Sequence, residues 1–278
     1  MQNGQSGHIS FTNQFHLEKN VLLGLQKNAE FPAKVLLGLL KEPEQINIRM
    51  EGVMMDDFMA CHKHGNTHPV YNAIKPHKTP KLPKALKEMS VLFGQSELSF
   101  LLLDEEVHDV DVLLGQTAFK DLFVMDYPLV KYIAEQNYKF LFNTLCPVFI
   151  LPRKLESINH IIFLFDGTDS SIKALRRFIA FFHERVIHTK LFAFLMITED
   201  HPGDTQKERI VVNFLLENFK DVGVQTVTVK GVEKDITRIS NYYKNCCIIT
   251  GNTGAKKILL SNITKLLAIK DVPLFYSN

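Results

Sequence analysis

Between residues 160 and 276, short apolar runs alternate with segments whose apolar residues recur at helical spacing, and this alternation constrains the fold more than any other feature of the chain. His160-Ile-Ile-Phe-Leu-Phe165 is the first run. It ends in Asp166-Gly-Thr-Asp-Ser-Ser171, and Ile172, Leu175, Ile179 and Phe182 follow on one helical face. Runs at 191–197, 224–229, 246–250 and 273–276 read as four more strands, with helices expected over 210–219, 235–243 and 258–269. Strands that are apolar on both sides and separated by helices belong in a parallel sheet, because right-handed crossovers lay the helices on both faces. The second half is therefore expected to be an α/β domain with an open, mainly parallel five-stranded sheet.

The first half repeats these landmarks in the same order. Residues 9–13 lie against 162–166, Lys34-Val-Leu-Leu37 against Lys190-Leu-Phe-Ala193, 112–117 against 248–253, and Cys146-Pro-Val-Phe-Ile150 against Val272-Pro-Leu-Phe-Tyr276. The pattern reads as a duplication with one copy rebuilt. At 278 residues the chain is long enough for two ordinary domains. The division is expected at 1–154 and 155–278, within the short polar stretch 152–157. One spacing resists the match. A third strand at 98–103 would leave only about seven residues before a strand at 111, whereas a parallel crossover usually needs a dozen or more. Either the first copy has lost its third helix and that strand lies elsewhere in the sheet, or the correspondence fails there, with extra length expected in an insertion over about 54–83. The last strand of each copy, 148–151 and 274–276, is expected at a sheet edge. Exposed edges pair, so self-association through them is expected, either within the chain as a pseudo-dimer or between chains.

Composition narrows the function classes. A formal net charge of +2 leaves no surplus of Lys and Arg to neutralise a phosphate backbone, so no nucleic-acid partner is expected. Apolar stretches such as 35–40 and 161–165 are far shorter than the roughly 20 residues of a membrane span, and residues 1–6 lack the charged and apolar regions of a signal peptide. No membrane association is expected, and the cytoplasm is the expected compartment. Cys61, Cys146, Cys246 and Cys247 form no CxxC pair and read as reduced residues.

Cys61 and the imidazoles of His62, His64, His68 and His77 fall within 17 residues, a set of donor types that suits zinc or copper. Their spacing matches no standard finger, and Pro69, Pro76, Pro80 and Pro83 stiffen the segment, so a solvated polar loop is the plainer expectation and a metal or small-ligand module the alternative. Asp56-Asp57 and Asp104-Glu105-Glu106 have no nucleophile or His at motif spacing and read as surface charge. Ser170 and Ser171 lack a G-x-S-x-G elbow and read as helix caps.

In an open parallel sheet, ligands bind beyond the carboxyl ends of the strands where the order reverses. There Asp166 would accept from a ribose hydroxyl or base amine. Gly251-Asn-Thr-Gly254 would bring backbone N–H groups to a phosphate. The segment from 160 to the end resembles the universal stress protein superfamily, on the strand ending in Asp166-Gly-Thr-Asp-Ser-Ser171, on Ile248-Ile-Thr-Gly251, on Ser261-Asn-Ile-Thr-Lys265 and on Val272-Pro-Leu-Phe275. The whole chain resembles the tandem members of Bacteroidetes-type bacteria, whose first copy is also irregular. The resemblance implies two flavodoxin-like domains, a dimer-like packing of the copies, and adenine-nucleotide binding, ATP or AMP, by Asp166, Gly167, Met196, Gly251, Gly254, Ser261, Asn262 and Thr264. The chain departs from the ATP-binding pattern. Ser261-Asn262 stands where Gly-Ser is expected, with three fewer residues after Gly254, while Asn13 and Gly115-Gln-Thr-Ala118 stand for the Asp and the glycine loop in the first copy. The expected function is a non-catalytic stress-response sensor or adaptor for an unknown protein partner, binding nucleotide weakly in the second copy. A slow ATP hydrolase is the enzymatic alternative, although no G-x-x-x-x-G-K-[ST] loop is present.

Overall fold

The computed structural model describes residues 18–26, 30–40, 47–55, 84–96, 98–102, 110–186, 188–197, 205–228, 231–261, 264, 267–268 and 271–278. Among these residues ten strands carry the fold: β1 Glu18–Leu25, β2 Asn47–Met54, β3 Ser99–Leu102, β4 Leu122–Asp126, β5 Val148–Leu151, β6 His160–Phe165, β7 Lys190–Ile197, β8 Asp221–Thr228, β9 Cys246–Gly251 and β10 Leu274–Ser277. Eight helices are described with them: α1 Ala33–Leu40, α2 Lys84–Gly94, α3 Val110–Thr117, α4 Tyr127–Asn143, α5 Asp169–Val186, α6 Thr205–Asn218, α7 Val232–Tyr242 and α8 Asn252–Leu259.

All ten strands form one sheet in the order β3-β2-β1-β4-β5-β10-β9-β6-β7-β8. Read outward from the middle, both sets of five have the same order, and every pairing within a set is parallel. The halves meet through the single antiparallel pair, β5 with β10, where Phe149 faces Phe275, Ile150 faces Leu274 and Val148 faces Tyr276. That register is symmetric about Phe149 and Phe275, so a pseudo-twofold axis passes between them. The two sheets expected from the sequence are thus one sheet, because the edge strand of each half satisfies the other's open row of backbone donors and acceptors.

Side chains alternate across the sheet with the period of two that a pleated strand imposes. One face buries Leu22, Phe123, Ile150, Leu164, Ile248 and Tyr276 under α3, α4, α7 and α8. The opposite face buries Leu23, Val124, Phe149, Phe163, Ile249 and Phe275 under α1, α2, α5 and α6. Corresponding helices of the two halves therefore cover the same face, as a twofold axis perpendicular to the sheet requires. Several bonds tie the halves beyond the strand pair. Tyr127 Oη donates to the Val272 carbonyl at 2.6 Å, Tyr276 Oη to the Leu141 carbonyl at 2.5 Å, and Lys19 Nζ to the Phe181 carbonyl at 2.8 Å.

The first half corrects the sequence reading in several places. The strand in the position of β6 is β1, not 9–13, which lies outside the described residues with Asn13. Residues 34–37 belong to α1, whose Val35, Leu36, Leu37, Leu39 and Leu40 are all buried, so an apolar run that suited a strand is a helix enclosed by its neighbours. Residues 112–117 belong to α3, and the counterpart of β9 is β4. Of the four proposed matches, 146–150 with 272–276 survives. The crossover difficulty disappears with them: residues 103–121 separate β3 from β4 and include α3, and β3 sits where β8 sits in the second half, with no strand displaced. Of the expected His-rich insertion over about 54–83, residues 56–83 lie outside the described residues, and with them His62, His64, His68 and His77; so do the acidic residues 104–106.

Among the described residues no helix is long and apolar enough to cross a membrane.

Candidate functional site

Asp166 ends the central strand of the second half and is 5% exposed. Its Oδ1 accepts from the Thr168 amide at 3.1 Å and the Thr168 hydroxyl at 2.5 Å, and the Ser171 hydroxyl lies 3.0 Å away. This is the local geometry of a short carboxylate that folds the chain back on itself just before α5. Gly167 takes φ +79° within the turn, a conformation that a side chain there would strain. The other carboxylate oxygen, Oδ2, is buried and finds no hydrogen-bond partner among the described residues. A buried acceptor on a carboxylate is costly to leave unmet, so Oδ2 is the atom at this rim with an unfilled need for a donor.

Gly251 and Gly254 stand at a strand-to-helix junction. β9 ends at Gly251 and α8 begins at Asn252, with Gly254 inside the helix as its third residue. No loop intervenes to cradle a phosphate. A side chain at Gly251 would come within 2.5 Å of the Ser171 nitrogen and 2.9 Å of the Ser170 carbonyl carbon. Gly254 lies against Thr250, whose Cβ would be 3.2 Å from an added methyl. Both glycines therefore permit close packing, Gly251 of β9 against the start of α5 and Gly254 of α8 against its own strand. The helix expected from 258 begins six residues earlier, directly from the strand.

The structure brings Asp166, Gly167 and Gly251 to one rim, the ends of β6 and β9, which pair in parallel with Leu164 beside Thr250. Met196, one residue before the end of β7, is 7% exposed and belongs to the core on the α7–α8 face. Ser261 and Thr264 are elsewhere. Ser261 Oγ donates to the Ile258 carbonyl at 2.9 Å, and Thr264 Oγ1 lies 3.0 Å from the same carbonyl, at the far end of α8. A helix of eight residues puts that end about 12 Å from Gly251. Asn262 lies outside the described residues.

Register identifies what occupies the same rim in the first half. Phe123 is to Val148 as Ile248 is to Leu274, and Leu22 is to Phe123 as Ile162 is to Ile248. Counting on from these pairs, Gln26 stands in the place of Asp166 and Asp126 in the place of Gly251. Asp126 caps α4, accepting from the Leu129 amide at 2.9 Å, and burial pushes its carboxyl above the usual range while that hydrogen bond pulls the other way. Neither residue is legible as a counterpart in the sequence, which places the matching strands at 9–13 and 112–117.

Cys146, Cys246 and Cys247 are buried free thiols. Burial pushes the thiols of Cys146 and Cys246 up to about 12 and that of Cys247 well above its usual value, which leaves them protonated and poor nucleophiles at neutral pH. A groove of about 320 Å³ opens between α7 and the β7–β8 edge, lined by Phe192, Gly223, Gln225, Arg238 and Tyr243 among others. Arg238 there is bonded to Asp235 at 3.1 Å and Gln225 at 3.4 Å. Among the described residues no group of three His, Cys, Asp or Glu side chains is arranged to hold a metal ion.

No protein-family model matches the chain, and no curated protein matches it in sequence. Solved structures do. A universal stress protein from Archaeoglobus fulgidus DSM 4304 aligns over 96% of this chain and 99% of its own, with a TM-score of 0.54 at 14% identity. The cytoplasmic domain of a prokaryotic cation chloride cotransporter aligns over 94% of this chain and 96% of its own, with a TM-score of 0.49 at 10% identity.

Proposed function

From the premise that this chain has the fold of a universal stress protein along nearly its whole length, we propose that it is a non-catalytic stress-response sensor or adaptor. In this reading residues 1–154 and 155–278 are two copies of one unit, and the β5–β10 seam makes within one chain the contact that two subunits would otherwise make. An adenine nucleotide, AMP or ATP, binds weakly at the rim of the second half. The cytoplasm is its compartment, in keeping with three buried free thiols.

The observation that carries nucleotide binding is the unpartnered Oδ2 of Asp166 at the end of a central strand, where folds of this topology take their ligands. A ribose hydroxyl or the exocyclic amine of adenine supplies the donor it needs. The phosphates gain little, since Gly251 is packed against Ser170 and Ser171 and the chain enters α8 at once. Affinity then resides in the nucleoside, and adenosine, AMP and ATP should bind within a few-fold of one another.

Titration calorimetry with the three ligands tests this, with Asp166→Asn as the variant. The amide keeps an acceptor for Thr168 but puts a donor where Oδ2 was, so binding should fall by about 10-fold or more, as expected for losing a hydrogen bond to a charged group. Equal affinity in the variant would remove Asp166 from the site. ATP binding far more tightly than adenosine would show a phosphate cradle that the strand-to-helix junction does not provide, and steady release of phosphate would favour a hydrolase.

A further inference from the structure

β8 is the outermost strand of the second half, and among the described residues no strand pairs with its free side. Its eight residues run beside β7 in unbroken register, from Asp221 next to Lys190 to Thr228 next to Ile197. Alternate backbone N–H and C=O groups therefore face β7, and the others face outward. Proline, a bulge or a central charge guards many sheet edges, and β8 has none of them. Its one charged residue, Asp221, stands at the start of the strand and is held by Lys190 at 2.9 Å.

The groove of about 320 Å³ runs beside this edge. On its floor Gly223 lies next to Phe192, and a methyl on Gly223 would come 3.3 Å from the ring, so the glycine leaves the ring uncovered on that side. α7 supplies the other wall with Arg238 and Tyr242, and Tyr243, which follows it, meets Phe192 at 5.0 Å. The first half fills the same place differently. Leu22 corresponds to Ile162, and by the same register Glu51 stands for Phe192 and Leu101 for Gly223. Glu51 is tied to Arg49 at 3.2 Å and to Lys120, so an ion-paired carboxylate takes the position of the aromatic floor. The aromatic groove is thus a feature of one copy and not of the shared fold.

We propose that the β8 edge and this groove bind an extended segment of a partner protein, which adds to the sheet as a further strand and seats a bulky apolar side chain over Gly223. The outward row of β8 main-chain groups pairs with such a segment whatever its sequence, and the pocket at Gly223 selects one of its side chains. Among the described residues the border carries the cations Lys190, Lys220 and Arg238 against Asp221 and Asp235, which pair with the first and last of them. Lys220 is left over and exposed, so acidic residues beside the apolar one match the charge. This names a partner class for the adaptor reading, and it depends on neither Asp166 nor nucleotide.

Fluorescence anisotropy of a labelled peptide, Glu-Glu-Val-Phe-Val-Thr-Thr with both ends capped, titrated with the full chain in the absence of nucleotide, tests the site. The peptide should bind with a dissociation constant on the order of 100 μM, and replacing its Phe by Ala should weaken it by about 10-fold or more. Of two peptides methylated on alternate backbone nitrogens, odd or even, one should lose binding, because only one set faces β8. Gly223→Val suits a strand and fills the pocket, so it should weaken the unmodified peptide by about 10-fold or more without lowering the melting temperature. Lys220→Glu, on the exposed border, should weaken it several-fold. No binding at millimolar chain would overturn the proposal, as would binding that survives Gly223→Val or both methylations. So would dimerisation in sedimentation that Gly223→Val abolishes and the peptide does not reverse, which would give the edge to a second copy. Failure here leaves the Asp166 test of nucleotide binding untouched.

Discussion

Replacing Phe149 with alanine should destabilise the whole chain by about 3–5 kcal/mol, the range for emptying a large aromatic site in a closed core. Phe149 is fully buried at the centre of β5. Its ring meets Phe182 at 5.5 Å and Phe275 at 5.9 Å, both edge-on, and Phe275 meets Phe178 at 5.1 Å. Phe149 belongs to the first half, whereas both rings that meet it come from the second. The lost volume therefore opens where neither half can close it alone, and the penalty should sit at the upper part of the range. Urea denaturation followed by circular dichroism gives the number. A loss below about 1 kcal/mol would mean that the halves pack through other contacts.

Substituting Gly251 by alanine should cost about 3 kcal/mol, high for a single added methyl, because overpacking usually falls between 1 and 3. What the methyl meets decides the size. At Gly251 it meets the Ser170 hydroxyl and also backbone, the Ser171 nitrogen at 2.5 Å and the Ser170 carbonyl carbon at 2.9 Å, so either the start of α5 or the end of β9 must move. Moving α5 also disturbs the hydroxyls of Thr168 and Ser171 that hold Asp166. Gly254 is the control. There the methyl meets the Thr250 side chain, so Gly254→Ala should be rescued in large part by Thr250→Ala, while no neighbouring side-chain truncation rescues Gly251→Ala. Denaturant midpoints of the four variants decide the matter. A neutral Gly251→Ala would show that the strand–helix junction is open, and with it a possible seat for phosphate.

The second half was largely legible because its strands are apolar on both faces and its helices amphipathic, so period and length agreed. β6 and β9 fall on the expected residues to within one, and β10 follows the Val272-Pro273 landmark that pairs it with β5. The first half misled for a physical reason. α1 is buried almost all round, and an eight-residue apolar run has no polar stripe to reveal a helical period. β1, by contrast, opens with Glu18, Lys19 and Asn20 and carries Gly24, which hid a central strand. Asp166 directly follows its strand, as the apolar run before it predicts. Gly251 and Gly254 are spaced like a phosphate loop and lie against Ser170, Ser171 and Thr250, which spacing alone does not reveal.

The account stands on the seam being a structural centre and not a loose contact between two independent units. Native-state hydrogen exchange at the amides of β5 and β10 measures that directly. The account predicts that the slowest amides of both strands exchange only through global unfolding, with the same free energy and denaturant dependence as the centres of β4 and β9. Exchange of β5 and β10 through a local opening well below the global value, with the two sets of five strands unfolding separately, would contradict it.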